Sequence, residues 1–353
     1  MTSMQNEMQN EITRPGRGSA EGGVTTMQNT VSTEEIAEFR SCLKVAEERR
    51  RGYVPWRPAG NSKQLLADVE RVFAEYEAHL PLTIRQIFYR LVGAYGYEKS
   101  DSLYERLIYL LGRARRARRI PFDWVRDDGI SVASDPWFGE TAAFWDHVAE
   151  EAREYRRDKQ QRQPVQVEVW TEATGMLPQL ARVARYYSVP VYSAAGGFAG
   201  LCAVRMIVDH AVARNVPTIL LHVGDFDLHG EDIFAALAED TAAFLAEDKV
   251  IGTQKIIAER VALTADQVAA YALPTDRLKQ PKGKAQQTAY DRWVRKHGDR
   301  TCQLEALPPD VLADELRQAI ERHLDIDLLA EHEDAEQAER IQLLRALPSG
   351  AAA

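Results

Sequence analysis

The sequence is poor in cysteine and has no long apolar segment. Cys42, Cys202 and Cys302 lie far apart, with neither the paired spacing of a zinc site nor a disulfide framework. No apolar run approaches the roughly 20 residues that cross a bilayer, and the opening residues lack the basic-then-apolar order of a secretion signal. We therefore expect a reduced, cytoplasmic protein with no membrane partner.

Aromatic residues are missing from the first 30 positions, which are rich in Gln, Asn, Thr, Gly and Ser. Such a segment buries too little apolar surface to offset its ordering entropy, so we predict a disordered tail over residues 1–31. The length of 353 residues favours about two domains. We place a helical domain at 32–150, an α/β domain at 151–330, and a peripheral helix with a loose end at 331–353.

Three helices in close succession are predicted after a first capped helix that starts near Ser32. They cover 61–80, 81–96 and 100–119, and Thr83 with Gln86 has the spacing of a capping box at the start of the second. The following "IPFDWVRDDG" suggests a short hairpin. Three helices and a wing resemble a winged helix-turn-helix module.

Positive charge is concentrated in this region, although the whole chain has a net charge of −9. Residues 84–126 contain ten Arg or Lys against four Asp or Glu. On the third helix Leu103, Leu107, Leu110 and Ala114 form an apolar stripe, and arginines including Arg106 occupy the other side. Such a face is either simply solvated or contacts the phosphates of double-stranded DNA. The candidate DNA contacts are Arg113, Arg115, Arg116, Arg118 and Arg119.

The second half alternates short β-rich runs with helical stretches, which predicts a mostly parallel sheet flanked by helices. The predicted strands are "VQVEVWTE", "VPVYSA", "TILLHVGDFD" and "TQKIIAERVAL", and the helices between them are Leu177–Tyr187, Phe198–Arg214 and Glu231–Ala246.

Acidic residues close two of these strands: Glu172 ends the first, and Asp225 and Asp227 end the third. Ligands of such sheets bind beyond the carboxyl ends of the strands. Gathered carboxylates repel one another unless a cation neutralises them, and Mg²⁺ prefers their hard oxygens. The alternative is that the aspartates only cap the next helix. We predict a magnesium site formed by all three acids.

A Glu after one strand and "GDFDLHGEDI" after a later one resemble the Toprim domain of topoisomerases, primases and some nucleases. The segment is most similar to the topoisomerase VI A-subunit family, which includes the meiotic double-strand-break transesterase. Leu228 stands at the family's usual proline, and Ala173 at a frequent lysine.

That family carries a winged helix ahead of Toprim, with a nucleophilic tyrosine that "TIRQIFYRLV" matches at Tyr89. The resemblance spans about 83–307 and implies that Arg85 supports Tyr89 electrostatically. It also implies tyrosine transesterification of DNA, a homodimer in which tyrosine and metal come from different subunits, and a possible separate GHKL-type ATPase. By position alone, Tyr89 suits a core residue on an amphipathic helix better than a nucleophile, and it is the acids further along the chain that favour the nucleophile.

Two rival functions remain open at this point. One is a Toprim nuclease that hydrolyses DNA with water, and the other is a non-catalytic DNA-binding accessory protein. The glycine-rich "SAAGGFAGL" is expected to be a turn, although it could accept an anion. Lys279, Lys282 and Lys284 form either a DNA clamp or a solvated loop, and we expect Glu305 either to be structural or to support the metal ligands without binding the ion.

Overall fold

The computed structural model describes residues 53–126, 135–193, 201–247, 256–281 and 284–348. These residues belong to one compact unit that begins at Tyr53. The expected tail over 1–31, the first helix near Ser32, most of the glycine-rich turn and Lys282 lie outside the described residues. Among the described residues, no helix is long and apolar enough to cross a membrane.

The three predicted helices near the start are present. They are α1 (Asn61–Glu75), α2 (Ile84–Tyr95) and α3 (Asp101–Arg116). The capping box at α2 forms as predicted, because the Thr83 side chain accepts from Gln86 N at 3.1 Å and Gln86 Oε1 accepts from Thr83 N at 2.9 Å. The predicted apolar stripe of α3 is buried in the core. Amphipathic spacing therefore identified these helices correctly.

The third helix is shorter than predicted. It ends at Arg116 rather than at 119, and Arg118 takes a left-handed conformation with φ 57°. After this turn Val125 forms a single parallel bridge with Leu82. The expected wing continues into residues 127–134, which lie outside the described residues. Three helices and one bridge are thus what the structure describes of this region.

A four-stranded, all-parallel sheet forms the second half, as the alternating pattern predicted. The strands are β1 (Gln166–Thr171), β2 (Val191–Ser193), β3 (Thr218–Val223) and β4 (Ile256–Ala262), in the spatial order β2-β1-β3-β4. All six residues of β1 and of β3 are buried. Continuous burial is expected of central parallel strands, because helices cover both faces of the sheet.

Helices pack on both faces of this sheet. They are α5 (Leu177–Ala184), α6 (Leu201–Arg214), α7 (Leu228–Glu247) and α10 (Pro309–Glu321). Trp170 and Leu220 share a core with side chains of α6 and α7. Val169 and Leu221 point to the opposite face and join the main core, which also includes α5, α10 and the three early helices. One continuous core therefore connects the early helices to the sheet.

The remaining elements are α4 (Thr141–Arg153), α8 (Ala265–Ala270) and α9 (Lys284–His297), with a short antiparallel pair, β5 (Asp276–Arg277) and β6 (Arg300–Thr301). The last helix, α11, spans Ile326–Ala346. Because α4 runs through position 150 and α11 through position 330, two of the expected domain boundaries fall inside helices.

The last helix is longer and more deeply packed than the peripheral helix that the sequence suggested. Leu329, His332 and Glu336 are buried. Glu336 accepts from Arg157 N at 2.9 Å, pairs with Arg156 at 3.2 Å and with Arg340 at 2.7 Å. The helix thus neutralises the basic connector, residues 153–162, that leads into β1.

Replacing Glu336 by Ala is expected to lower the free energy of unfolding by roughly 2–4 kcal/mol, since it leaves several cations without their buried carboxylate. The matched control is Glu331→Ala, whose carboxylate pairs with Arg162 at 3.2 Å with both side chains more than 60% exposed. That change should cost less than about 1 kcal/mol. Urea denaturation measures both, and equal effects would show that α11 is peripheral after all.

Candidate functional site

The predicted acidic residues meet at the carboxyl edge of the sheet. Glu172 directly follows β1, and Asp225 and Asp227 follow β3, which is the neighbour of β1. The backbone approaches closely here. A Cβ added at Gly230 would lie 2.9 Å from Glu172 Oε1 and 3.4 Å from Asp227 Oδ1, and one at Gly224 would lie 2.5 Å from Glu172 Oε1. Both glycines are therefore needed to bring the acids together.

Backbone amides hold one oxygen of each of these carboxylates. Glu172 Oε1 accepts from Asp225 N at 3.1 Å, and Asp227 Oδ1 accepts from Gly230 N at 2.8 Å. Asp225 Oδ1 accepts from Leu304 N at 2.8 Å. Within the described ranges no three His, Cys, Asp or Glu side chains converge closely enough to hold a metal ion as they stand. The acids are neighbours, but each is oriented by the protein's own N–H groups.

Asp225 is the most perturbed of these acids. Burial raises its pKa to about 7, and the charges of Glu305, Asp227 and Glu172 add to this increase, while the bond from Leu304 N opposes it. Glu305 is thus a fourth carboxylate beside the cluster. The sequence suggested that Glu305 is either structural or a support for the metal ligands, and its position beside Asp225 agrees with the second role.

His222 and Arg260 lie beneath the acidic edge, and the sequence analysis did not identify either. His222, which is fully buried on β3, has Nε2 3.6 Å from Glu172 Oε2. Arg260 on β4 donates from Nε to Leu263 O at 2.8 Å, from Nη2 to Gly224 O at 3.2 Å and also to Asp225 O. Burial raises the pKa of Glu172, but the contacts with His222 and Asp225 N outweigh it, so that the pKa is lowered.

Tyr89 and Asp225 of the same chain contact neighbouring residues of one short segment. The Tyr89 hydroxyl donates to Gln303 Oε1 at 2.9 Å, and the following residue, Leu304, donates to Asp225. Arg85 Nη1 is 3.5 Å from the same Gln303 oxygen and 3.8 Å from Glu305 Oε1. The resemblance implied that the tyrosine meets the metal site of a second subunit. In this structure Tyr89 and Asp225 of a single chain each contact the segment Gln303–Leu304.

Two cavities adjoin at this segment. One, of about 550 Å³, is bordered by Asp225, Asp227 and the basic pair Arg277 and Lys279. The other, of about 430 Å³, is bordered by Arg85, Tyr89 and Lys99. Gln303 and Asp276 line both. A ligand that spans the two cavities would therefore contact the tyrosine and the acids together.

The tyrosine is not activated as it stands. It is 5% exposed, and burial raises its pKa, assisted by the charges of Asp276 and Glu305, while Arg85 acts in the opposite direction. The charge of Arg85 therefore lowers the pKa of Tyr89, as expected of a supporting residue, but burial and the nearby acids raise this pKa by more. Lys99 Nζ lies 5.0 Å from the centre of the Tyr89 ring and 2.7 Å from Asp276.

The predicted DNA-contacting arginines lie around the carboxyl end of α3. Arg116, Arg118 and Arg119 are exposed, whereas Arg113 and Arg115 are half-buried. Arg119 pairs with Glu70 at 3.1 Å. The predicted cluster is therefore a surface feature, in which Arg119 is already paired with an acid.

Aromatic rings lie under several of these arginines. The guanidinium of Arg118 is 4.2 Å from the centre of the Tyr53 ring, and that of Arg115 is 5.6 Å from Phe122. Tyr53 and Phe122 are themselves 59% and 55% exposed. This pattern of cations on exposed rings could not be read from α3 alone, because Tyr53 precedes α1.

Comparison of the sequence with protein-family models found no match. Comparison with curated proteins found no match either. The functional argument for this chain therefore depends on its own motifs and on the geometry described above.

Asp225→Asn is expected to stabilise the protein in the absence of divalent metal, and more at high pH than at low pH. The folded pKa of about 7 lies above the ordinary value of 3.8, so the folded state loses stability as pH rises between them, and the amide removes this loss. We expect a melting temperature higher by roughly 5 °C at pH 8, and little changed at pH 4.5.

Thermal melts in EDTA at both pH values measure this difference. Asp240→Asn, on the exposed side of α7, is the control for a general charge effect. A gain that is the same at pH 4.5 and pH 8 would contradict the raised pKa.

Proposed function

We propose that this protein cleaves DNA strands by Mg²⁺-dependent tyrosine transesterification, in the manner of a topoisomerase VI A subunit. The observation that carries the proposal is the path from the Tyr89 hydroxyl through Gln303 and Leu304 to Asp225. Residues 89, 225 and 303 are remote in sequence, yet they meet at the carboxyl edge where sheets of this class bind ligands. The three early helices and the bridge at Val125 support a winged-helix interpretation of the DNA-binding half.

The acidic cluster suits a hard divalent cation. Its donors are carboxylate oxygens, and Glu172 Oε2 is buried without a hydrogen-bond partner in the described part of the chain. Glu172, Asp225 and Asp227 would hold Mg²⁺, with Glu305 close by. The ion, when bound, would stabilise the negative charge that develops on the scissile phosphate. A bound cation would also favour the charged form of Asp225, whose pKa is raised by burial and, in addition, by the neighbouring carboxylates.

The chain's own residues would perform the transfer. The Tyr89 oxygen forms a bond to phosphorus as the phosphorus–oxygen bond to one deoxyribose breaks, and the phenolic proton leaves while the sugar oxygen gains one. Arg85 is placed to stabilise the phenolate, once substrate replaces the bond from Tyr89 to Gln303. The phosphotyrosyl link keeps the energy of the broken bond, so the reverse step reseals the strand.

Double-stranded DNA would approach along the arginines at the end of α3. Arg113, Arg115, Arg116, Arg118 and Arg119 would contact phosphates. Lys279, which borders the cavity of Asp225 and Asp227, would add positive charge there. Cutting both strands requires two such sites, which favours a homodimer. Strand passage would need a separate ATPase subunit.

A metal-dependent nuclease is the second candidate, and a specific observation favours it. Tyr89 is buried, its hydroxyl is hydrogen-bonded, and its pKa is raised. These are properties of a structural tyrosine. In that case water would attack the phosphate, and the acids and the DNA surface would keep their roles. A purely structural role for the acids is disfavoured, because bringing Asp225 near three other carboxylates costs stability without a ligand.

Tyr89→Phe separates the two chemistries, because it removes the hydroxyl and leaves the ring to pack. We expect DNA that is covalently attached to the wild-type protein on denaturing gels, in Mg²⁺ and with any partner ATPase supplied, and at least a 100-fold loss of cleavage in the variant. Tyr95→Phe, on the same helix but away from Gln303, is the matched control and should cleave normally. Cleavage by Tyr89→Phe at the parent rate, with free DNA ends, would establish the nuclease.

Replacing Arg116, Arg118 and Arg119 together by Gln should weaken binding to duplexes of any sequence. The slope of log affinity against log salt should flatten by roughly 0.9 for each phosphate that the variant no longer neutralises. Exposed arginines elsewhere, Arg153, Arg317 and Arg345, provide a control triple with the same change of charge. Equal salt slopes for the two triples would mean that the α3 arginines are only a solvated face.

A further inference from the structure

A third cavity, of about 670 Å³, lies at the opposite edge of the sheet from the acids. It is bordered by Gln166, the first residue of β1, and by Val189 and Pro190, which precede β2. It therefore lies at the amino ends of the strands, whereas Asp225 and Asp227 follow a carboxyl end. Its volume is within the range of small-molecule sites.

Arginine dominates the charge of this cavity. Arg156, Arg157, Arg185 and Arg214 line it, against a single carboxylate, Asp158. Asp158 pairs with Arg214 at 2.6 Å, and the first two arginines pair with acids of α11. Arg185 is exposed and has no carboxylate partner among the described residues. Planar guanidinium groups recognise phosphate and carboxylate by paired hydrogen bonds, so an anion suits this wall.

A buried polar cluster forms one side of the same cavity. Glu168, which is fully buried, accepts from Gln166 Nε2 at 2.9 Å and from Trp170 Nε1 at 3.1 Å, and contacts His210 Nδ1 at 2.9 Å. The bond to Glu168 raises the pKa of His210, which also lines the cavity. The cluster is thus rigid, and three neighbouring groups share the charge of Glu168.

Two buried oxygens at this edge lack hydrogen-bond partners. Gln166 directs its amide N–H toward Glu168, because a carboxylate accepts and cannot donate. Its Oε1 is left without a partner in the described part of the chain, and so is Oγ1 of Thr218, the register neighbour of Gln166 on β3. Gln166 and Thr218 are 7% and 0% exposed. A buried acceptor that is left unsatisfied lowers stability, unless something donates to it.

The rest of the cavity wall is apolar or aromatic. Val189, Pro190, Tyr192 and Ala213 contribute to it, and the Tyr192 ring is held by stacking on Trp170 at 4.8 Å between centroids. A flat organic ring can lie against such a surface. An anion wall, a flat apolar wall and a buried acceptor occur together in this one cavity.

We propose that this cavity binds a nucleotide, with its phosphate against Arg185 and the neighbouring arginines and an N–H or O–H of its base or sugar donating to Gln166. The same chemistry occurs in a free mononucleotide and in the phosphorylated end of a single strand. The site is separate from the acidic cluster and does not depend on the cleavage proposed above.

Isothermal titration of the full chain at constant ionic strength tests the site. The probes are the four ribonucleoside 5′-monophosphates, inorganic phosphate, and a six-nucleotide strand with or without a 5′-phosphate. At least one nucleotide probe should bind at least tenfold more tightly than inorganic phosphate. Binding of monophosphates identifies a free nucleotide as the ligand, and binding of the 5′-phosphorylated strand alone identifies a strand end.

Arg185→Gln should weaken that binding at least tenfold, and Arg185→Lys should retain part of it. Because Arg185 has no carboxylate partner among the described residues, its replacement breaks no ion pair there, so folding should be preserved. Arg317→Gln, with an equally exposed arginine on α10, is the matched control and should change binding less than twofold. Asp225→Ala, which disables the acidic edge, should leave nucleotide binding unchanged.

No binding of any nucleotide probe by the wild-type chain at millimolar concentration would overturn the proposal. Equal binding by Arg185→Gln and the parent would overturn it too. An absence of binding in Asp225→Ala would also overturn it, because it would show that the nucleotide binds at the acidic edge. Arg185 takes no part in the proposed cleavage. A protein that does not cleave DNA but still binds nucleotide would therefore contradict the cleavage proposal and leave the nucleotide site supported.

Discussion

The desolvation of carboxylates gathered at the carboxyl edge of the sheet is the constraint on which the site depends. Burial raises the pKa of Asp225, the charges of Glu305, Asp227 and Glu172 add to this increase, and Asp225 Oδ1 accepts from Leu304 N. Glu172 and Asp227 are each held in a similar way by a backbone N–H. An arrangement that costs stability persists where a ligand offsets the cost, and a divalent cation is the ligand that this set of oxygens suits.

The short segment Gln303–Glu305 contacts both the early helices and the acidic edge of the sheet. Cys302 forms an antiparallel bridge with Phe226, which fixes the segment beside the acidic turn. Gln303 then meets Tyr89 and Arg85 from α2, while Leu304 meets Asp225. Any movement of α2 relative to the sheet would therefore change the surroundings of the tyrosine and of the acids together. This coupling gives a physical route by which bound DNA would release Tyr89 from Gln303.

Much of the fold followed from local patterns in the sequence. The four strands and the helices between them follow from hydrophobic period and from the punctuation by Gly and Pro. The capping box at Thr83 was predictable, because both of its partners lie within one helical turn. The acids were predictable as a group, because residues that follow neighbouring parallel strands share one edge. The end of α3 was misplaced by three residues, since arginine favours helix whether or not the chain turns at Arg118.

What the sequence determined by itself is the order of the elements, the gathering of Glu172, Asp225 and Asp227, and the positive charge at the end of α3. Each depends on residues close in the chain or on a general rule of sheet topology. Only the tertiary structure decided that Glu305 joins the acids, that His222 and Arg260 lie beneath them, and that α11 covers the basic connector. It alone decided that Tyr89 meets Gln303, more than 200 positions away. Such contacts follow from the packing of distant elements around one core. Local hydrophobic periodicity and short motifs do not determine which surfaces pack together.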